Sequence, residues 1–154
     1  MSNAIQIFTD GAASGNPGPG GFGIVLKYKQ YRKEVSQGYR LTTNNRMELL
    51  AVIVALGMLK KDKSHVIVHS DSKYVIDAIN QKWVHGWVKT DFKNKANKDL
   101  WLRFLEVNRN HHTEFVWVKG HANNVENNRC DELAVAAYKQ GDLLVDEGYE
   151  ASKL

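Results

Sequence analysis

The sequence lacks several features that would each define a class of protein. Its single cysteine, Cys130, excludes an internal disulfide framework, and its Cys and His residues do not have the spacing of a zinc site. No stretch approaches the roughly 18 consecutive apolar residues of a membrane span, and the N-terminus has neither the basic start nor the apolar run of a signal peptide. We therefore expect a cytoplasmic protein whose chemistry does not depend on thiols.

Length and composition are ordinary for a small globular protein. The 154 residues are 43% apolar and 25% charged, without internal repeats or low-complexity tracts, and fit one domain spanning residues 1–154. Only the segment from 142 to 154 is expected to be a loosely held C-terminal tail. The net charge of +4 mildly favours an anionic partner, and a monomer without an obligate protein partner is expected for one self-contained domain.

Hydrophobic periodicity predicts the element order βββαβααβα. Alternation indicates strands over 4–10, 22–29 and 32–41, with a Gly/Pro-rich loop over 11–21. Apolar residues from Met47 to Met58 recur at helical spacing, and Thr42 or Thr43 is available as a cap. A short apolar strand then ends at Asp71, and helices near 75–79 and 101–105, a strand over 114–118 and a last helix follow. This order predicts an α/β protein with a mixed five-stranded sheet, formed by three antiparallel strands and two parallel additions, and helices on both faces.

Four acidic residues lie where a strand is predicted to end or a helix to begin: Asp10, Glu48, Asp71 and Asp131. Ligands in open α/β sheets collect at the carboxyl ends of strands, so the four side chains are expected to form one cluster. Four ionised carboxylates share a small site only with cations, and Mg²⁺ is the natural ion because it prefers oxygen ligands. This pattern favours two-metal phosphoryl transfer. The alternative is that each carboxylate caps a helix or faces solvent.

Two other motifs concern the loops. His121 lies in a polar loop between the last strand and the last helix, where an imidazole suits proton transfer, although an idle surface histidine is the alternative. The segment from Gly18 to Gly23 matches Gly-x-Gly-x-x-Gly, but it leads into a strand rather than a helix. We therefore reject a dinucleotide site there.

A basic segment rich in tryptophan follows Asp71. Lysines with aromatic residues between them suit a nucleic-acid backbone with its sugars and bases. The alternative is a solvated loop that its tryptophans anchor to the core. The candidate binding residues in this segment are Lys82, Trp83, Trp87, Lys89, Lys93 and Lys95.

Taken together, these motifs resemble the type 1 ribonuclease H family, bacterial ribonuclease HI in particular, over nearly the whole chain. The resemblance rests on six motifs: Phe8-Thr9-Asp10-Gly11, Gly15-Asn16-Pro17-Gly18-Pro19-Gly20-Gly21, Thr42-Thr43-Asn44-Asn45-Arg46-Met47-Glu48-Leu49, Asp71-Ser72, Trp117-Val118-Lys119-Gly120-His121 and Asn128-Arg129-Cys130-Asp131-Glu132-Leu133-Ala134. It implies the ribonuclease H-like fold. It also implies a metal-dependent endonuclease that cuts the RNA strand of RNA·DNA hybrids and leaves 5′-phosphate and 3′-hydroxyl ends.

The resemblance also implies roles for individual residues. Asp10 is expected to bridge two Mg²⁺ ions, with Mn²⁺ as a substitute, while Asp131 completes the site of the ion that activates water and Glu48 and Asp71 hold the other ion. His121 is expected to assist proton transfer or product departure. Recognition of the hybrid is expected to use Asn16, Asn44 and Asn45, with Thr43 near a DNA phosphate. The basic segment falls where many bacterial members carry a handle helix that grips the DNA strand.

Two other functions compete with this interpretation. A DNA nuclease could use the same fold, although the asparagine-rich turn over 42–46 suits a 2′-hydroxyl better. A non-catalytic hybrid-binding module would be expected to have lost a carboxylate, yet all four are present.

Overall fold

The computed structural model describes residues 4–60, 64–120 and 124–153, and it confirms the mixed five-stranded sheet. The strands lie in the order β3-β2-β1-β4-β5: β1 and β2, and β2 and β3, pair antiparallel, whereas β4 joins β1 and β5 joins β4 in parallel. In chain order the elements are β1 (Ile5–Ala13), β2 (Gly18–Tyr28), β3 (Tyr31–Thr42), α1 (Asn44–Gly57), β4 (His65–Ser70), α2 (Lys73–Asn80), α3 (Trp83–Lys89), α4 (Lys98–Asn108), β5 (His112–Trp117), α5 (Val125–Lys139) and α6 (Glu147–Ala151).

The predicted order omitted two short helices, α3 between β4 and β5 and α6 near the C-terminus. Both are too short for hydrophobic periodicity to identify. Across the three described ranges, none of the helices has the length and apolar character needed to cross a bilayer.

The main core lies between one face of the sheet and α1. Alternate strand residues, such as Ile7, Ile24 and Val68, point to this face and are completely buried. Helix α1 is buried along most of its length, because it packs on β1 and β2 and is covered in turn by α4. Trp101 of α4 is also fully buried in this core. The helix that carries Glu48 is therefore the most buried of the described helices.

Helix α5 covers the opposite face of the sheet and explains why part of the predicted 11–21 loop is strand. Strands β1 and β2 pair as far as Ala13 and Gly20, so only residues 14–17 connect them. A Cβ atom on Gly21 would lie 2.6 Å from the carbonyl oxygen of Ala134 in α5. Glycine is thus required for α5 to approach β2, rather than to form a loop.

The C-terminal segment is attached more firmly than the predicted loose tail. Asp146 is buried and accepts hydrogen bonds from Thr42 Oγ1 at 2.7 Å and from Arg46 Nε at 2.8 Å. Tyr149 of α6 is also buried, and the Leu144 amide donates to the carbonyl of Gly38. Over the described residues 142–153, the expectation of a loose tail is therefore wrong.

Candidate active site

Asp10 and Asp71 come together because two parallel strands end their pairing at the same level. The last paired residues of β1 and β4 are Thr9 and Ser70, and the two aspartates follow them directly. Asp71 comes after the end of β4, as predicted, whereas Asp10 remains inside β1, which continues its antiparallel pairing with β2. The parallel ladder therefore presents both side chains at its carboxyl end.

Glu48 reaches this position from helix α1. The Thr43 hydroxyl caps the helix by accepting from the Arg46 amide at 3.2 Å, which confirms one of the two predicted caps. The Gly11 amide donates to Glu48 Oε1 at 2.7 Å and to Asp10 Oδ1 at 2.9 Å. A Cβ on Gly11 would lie 2.4 Å from the Glu48 nitrogen, so only glycine permits this close packing of strand and helix.

The three carboxylates form a tight group. One oxygen each from Asp10, Glu48 and Asp71 lies within 4.8 Å of the others. Burial, followed by the negative charges of Asp71 and Asp131, raises the pKa of Asp10 to about 8. Burial and the charges of Asp10 and Asp71 likewise raise the pKa of Glu48 well above its usual value. Without a cation, the site is therefore short of positive charge.

This donor set fits a hard divalent cation. All the ligand atoms are carboxylate oxygens, which Mg²⁺ and Mn²⁺ prefer. No ion pair among the described residues involves these carboxylates, so protein cations do not already neutralise them. Arg46, only two residues before Glu48, instead binds Asp99 and Asp146.

The two other residues predicted for the active site, Asp131 and His121, do not belong to this group of three carboxylates. Asp131 is half-buried and lies in the second turn of α5, because that helix begins at Val125, earlier than predicted. Its charge acts on Asp10, but its oxygens are outside the tight group of three carboxylates. His121 lies outside the described residues.

Two residues that support the cluster were not predicted from the sequence. Asn127 of α5 is buried, and its Nδ2 donates to the carbonyls of Thr9 at 3.3 Å and His69 at 3.4 Å. It therefore ties the ends of β1 and β4 together. Trp117 of β5 donates its indole N–H to the carbonyl of Asp71 at 3.1 Å. Neither side chain lies in a sequence pattern that points to a backbone partner on a distant strand.

The asparagines predicted to contact the hybrid lie around the start of α1. The backbone amide of Asn44 donates to Asn16 Oδ1 at 3.1 Å, so these two residues are in contact. Asn16 and Asn45 are exposed, and Asn44 and Thr43 are partly buried. Their polar groups therefore border the first turn of the helix that carries Glu48.

Four of the six candidate residues of the basic segment line an open cleft of about 800 Å³, and Asn45 lines it as well. The Lys95 ammonium lies 5.3 Å from the centroid of the Trp87 ring, so charge and aromatic surface are adjacent. Lys89 and Lys93 are exposed on the same segment but do not line the cleft. The cleft residues that were not predicted include Tyr74 and Asn97, and those predicted from the sequence are Asn45, Lys82, Trp83, Trp87 and Lys95.

The segment after α3 has an unusual backbone. Four residues without the freedom of glycine adopt left-handed conformations there: Asp91, Phe92, Asn94 and Asn97. The buried ring of Phe92 packs on Trp87 with ring centroids 6.5 Å apart and anchors this segment. Such conformations persist where surrounding contacts define them, and they often occur in binding segments.

Comparisons with known proteins agree with this geometry. A protein-family model described as RNase H matches residues 2–139. A ribonuclease H of Syntrophus aciditrophicus (strain SB) is 53% identical over 150 residues, which cover 94% of this chain and 86% of the relative. A ribonuclease HI of Pasteurella multocida (strain Pm70) is 48% identical over 155 residues, which cover 97% of this chain and 99% of the relative.

Solved structures of RNase H proteins are similar to this fold as well. LC9-RNase H1, a type 1 RNase H with the type 2 active-site motif, is similar with a TM-score of 0.80 at 32% identity, covering 99% of this chain and 81% of the other. LC11-RNase H1 in complex with an RNA/DNA hybrid is similar with a TM-score of 0.66 at 26% identity, covering 88% of this chain and 96% of the other.

Proposed function

The chain belongs to the ribonuclease H family, and we propose that it hydrolyses the RNA strand of RNA·DNA hybrids with two divalent metal ions held by its acidic cluster. It is a nuclease, a phosphodiester hydrolase, as its relatives are. The observation that carries the proposal is the convergence of Asp10, Glu48 and Asp71 from β1, α1 and the end of β4. The hybrid bound to LC11-RNase H1 supports the choice of substrate.

The proposed metal ligands are the three clustered carboxylates together with Asp131. We propose Mg²⁺, with Mn²⁺ as a substitute, because the donors are oxygen atoms only. When bound, the ions supply Lewis acidity to phosphoryl oxygens and a lowered pKa for water, which is the chemistry of in-line phosphodiester hydrolysis. The products are then a 5′-phosphate and a 3′-hydroxyl.

The protein's own contribution is to hold this negative charge in place. Asp10 and Glu48 accept from one amide, that of Gly11, so their orientation does not depend on a bound ion. Burial and the neighbouring negative charges raise the pKa of both carboxyls, so both hold protons more tightly in the metal-free site, and binding of a cation would release those protons. The site is therefore arranged before the substrate arrives, which reduces the reorganisation needed during the reaction.

His121 is proposed to transfer a proton or to assist product departure, because an imidazole titrates near neutral pH. Its neighbour in sequence, Gly120, lies beside Asp71, where an added Cβ would be 3.0 Å from Asp71 Oδ2.

Strand discrimination is assigned to the polar residues around the start of α1. The amides of Asn16, Asn44 and Asn45 can donate to and accept from a 2′-hydroxyl, which only the RNA strand carries. The Thr43 hydroxyl oxygen accepts from a helix amide, and its O–H group can donate to a DNA phosphate.

The cleft is proposed to hold the DNA strand. Its ammonium groups suit phosphates, and the exposed indole of Trp83 with the partly buried indole of Trp87 suits sugars and bases. Outside the cleft, Lys89 and Lys93 are proposed to add phosphate contacts on the same segment. Together these groups would fix the hybrid on one side of the acidic cluster. The cleft residues involved are Lys82, Trp83, Trp87 and Lys95.

We also propose that the protein acts in the cytoplasm as a monomer, since all the groups invoked lie on one chain. Size-exclusion chromatography with light scattering and cell fractionation would test these two points.

Paired variants test the proposed site. Asp131→Asn removes a proposed ligand, whereas Glu132→Gln changes the next carboxylate, which is exposed and paired with Arg129. We expect single-turnover cleavage of a hybrid to fall on the order of 10²-fold or more in Asp131→Asn and to change less than about twofold in Glu132→Gln. Equal rates in the two variants would contradict the assignment of Asp131.

A further inference from the structure

Trp117 holds the backbone of Asp71 from the neighbouring strand. It is the last residue of β5, opposite Ser70, and its indole N–H donates to the Asp71 carbonyl at 3.1 Å. Trp117 is 43% exposed, although large aromatic residues are usually more buried than this. The exposed indole therefore fixes the point at which β4 gives way to the acidic cluster.

The same ring also contacts a cation from a residue close to Asp71 in sequence. Lys73 follows Asp71 by two residues and is the first residue of α2. Its ammonium lies 4.9 Å from the centroid of the Trp117 ring, within cation–π range. In the described part of the chain, Lys73 forms no ion pair with Asp71 or Asp10. The lysine thus rests on the indole rather than on the acidic cluster.

This arrangement matters because an ammonium and a divalent ion compete for the same oxygens. A flexible lysine near several carboxylates is drawn to them by their summed charge. A lysine that pairs with Asp71 must be displaced before a metal ion can bind. The aromatic face offers the ammonium another position and leaves the carboxylate oxygens available.

We propose that Trp117 is a positioning residue of the metal site: it fixes the Asp71 backbone through its N–H and keeps the Lys73 ammonium on its ring. This inference rests on the proposed function, because it takes Asp71 as a metal ligand. It extends that function to two residues that do not themselves contact the metal.

Substitutions separate the two contributions. Trp117→Phe removes the N–H donor and keeps an aromatic face for the lysine. Trp117→Leu removes both, and Lys73→Gln removes the competing cation alone. The double variant Trp117→Leu/Lys73→Gln then tests whether the additional effect of leucine acts through the lysine.

The measurement is isothermal titration of the metal-free protein with Mn²⁺ at fixed ionic strength and without nucleic acid. We expect the Mn²⁺ dissociation constant to rise about threefold in Trp117→Phe and about tenfold in Trp117→Leu. In the double variant it should return to about the Trp117→Phe value, and Lys73→Gln alone should not weaken binding. Urea unfolding in EDTA verifies that each variant is folded.

The outcomes distinguish this inference from the function on which it rests. If Asp10→Asn binds Mn²⁺ as well as the unmodified protein does, the acidic metal site itself is refuted. If Asp10→Asn weakens binding but both Trp117 variants bind normally, only the role of Trp117 is overturned. If Trp117→Leu binds weakly and removing Lys73 does not restore it, the lysine part of the proposal is overturned.

Discussion

Replacing Asp10 with asparagine should stabilise the metal-free protein while abolishing its activity. The asparagine side chain keeps an oxygen that can accept from the Gly11 amide, so the change removes charge with little change in shape. The raised pKa means that the folded state disfavours ionised Asp10, chiefly because of burial and then because of the neighbouring carboxylates. The variant no longer has to bury that charge.

The pH dependence of this gain follows from the sign of the pKa shift. The pKa of Asp10 rises from 3.8 to about 8 on folding. Stability from this group is therefore fully present below about pH 4 and is lost as the pH rises through about 8. At pH 7 the difference corresponds to an upper limit of about 4 kcal/mol at about 1.4 kcal/mol per unit. Because Asp10 and Glu48 share a hydrogen bond that the variant alters, we expect a gain of about 1–3 kcal/mol.

Urea unfolding in EDTA, at about pH 5 and about pH 8, measures this effect. The stabilisation should be larger at the higher pH, and saturating Mg²⁺ should reduce it because the metal stabilises only the unmodified protein. Asp142→Asn, which changes an exposed carboxylate, is the control and should show neither effect. A variant that is no more stable than the unmodified protein at about pH 8, or equally stabilised at both pH values, would refute the reasoning.

Three other predictions follow from particular interactions. Replacing the three exposed lysines Lys89, Lys93 and Lys95 with alanine should raise KM for the hybrid. The slope of log KM against log salt concentration should fall by about 0.7–0.9 for each phosphate that is no longer bound, and an unchanged slope would exclude this surface as a phosphate-binding site. Gly120→Ala should displace the Asp71 carboxylate, because the new Cβ would lie 3.0 Å from Oδ2, and should raise the Mg²⁺ concentration needed for half-maximal cleavage; normal Mg²⁺ activation would contradict this. Arg46→Met should lower the free energy of unfolding by about 3–5 kcal/mol, because it leaves buried Asp146 without its cation and also removes the bond to Asp99. A decrease below about 1 kcal/mol in urea unfolding would show that this ion network is not important for stability.

The parts of the fold that were predicted correctly depend on local patterns. The helix that carries Glu48 is predicted by the helical spacing of its apolar residues and by its threonine cap. The turn from β4 into α2 is predicted by the short apolar strand that ends before Asp71. The mixed sheet follows from the order of these elements, which is why its class was confirmed. The roles of the four carboxylates and of the hybrid-binding residues remain predictions.

The parts that were missed depend on contacts between distant residues. Gly21 lies in β2 rather than in the predicted loop, and it must be glycine because α5 packs against it, a requirement that appears only in the folded protein. Asp146 anchors the C-terminal segment through Arg46, 100 residues earlier in the chain. Trp117 acts on a backbone carbonyl, and such a partner leaves no trace in the residue types.

Cleavage of one nucleotide sequence presented in four forms tests the central claim most directly. The forms are RNA·DNA hybrid, double-stranded DNA, double-stranded RNA and single-stranded RNA, each with Mg²⁺ and with EDTA. We expect cutting of the RNA strand in the hybrid alone, with 5′-phosphate products, in Mg²⁺ and not in EDTA. Cutting of DNA, cutting in EDTA, or tight binding of the hybrid without any cutting would contradict it.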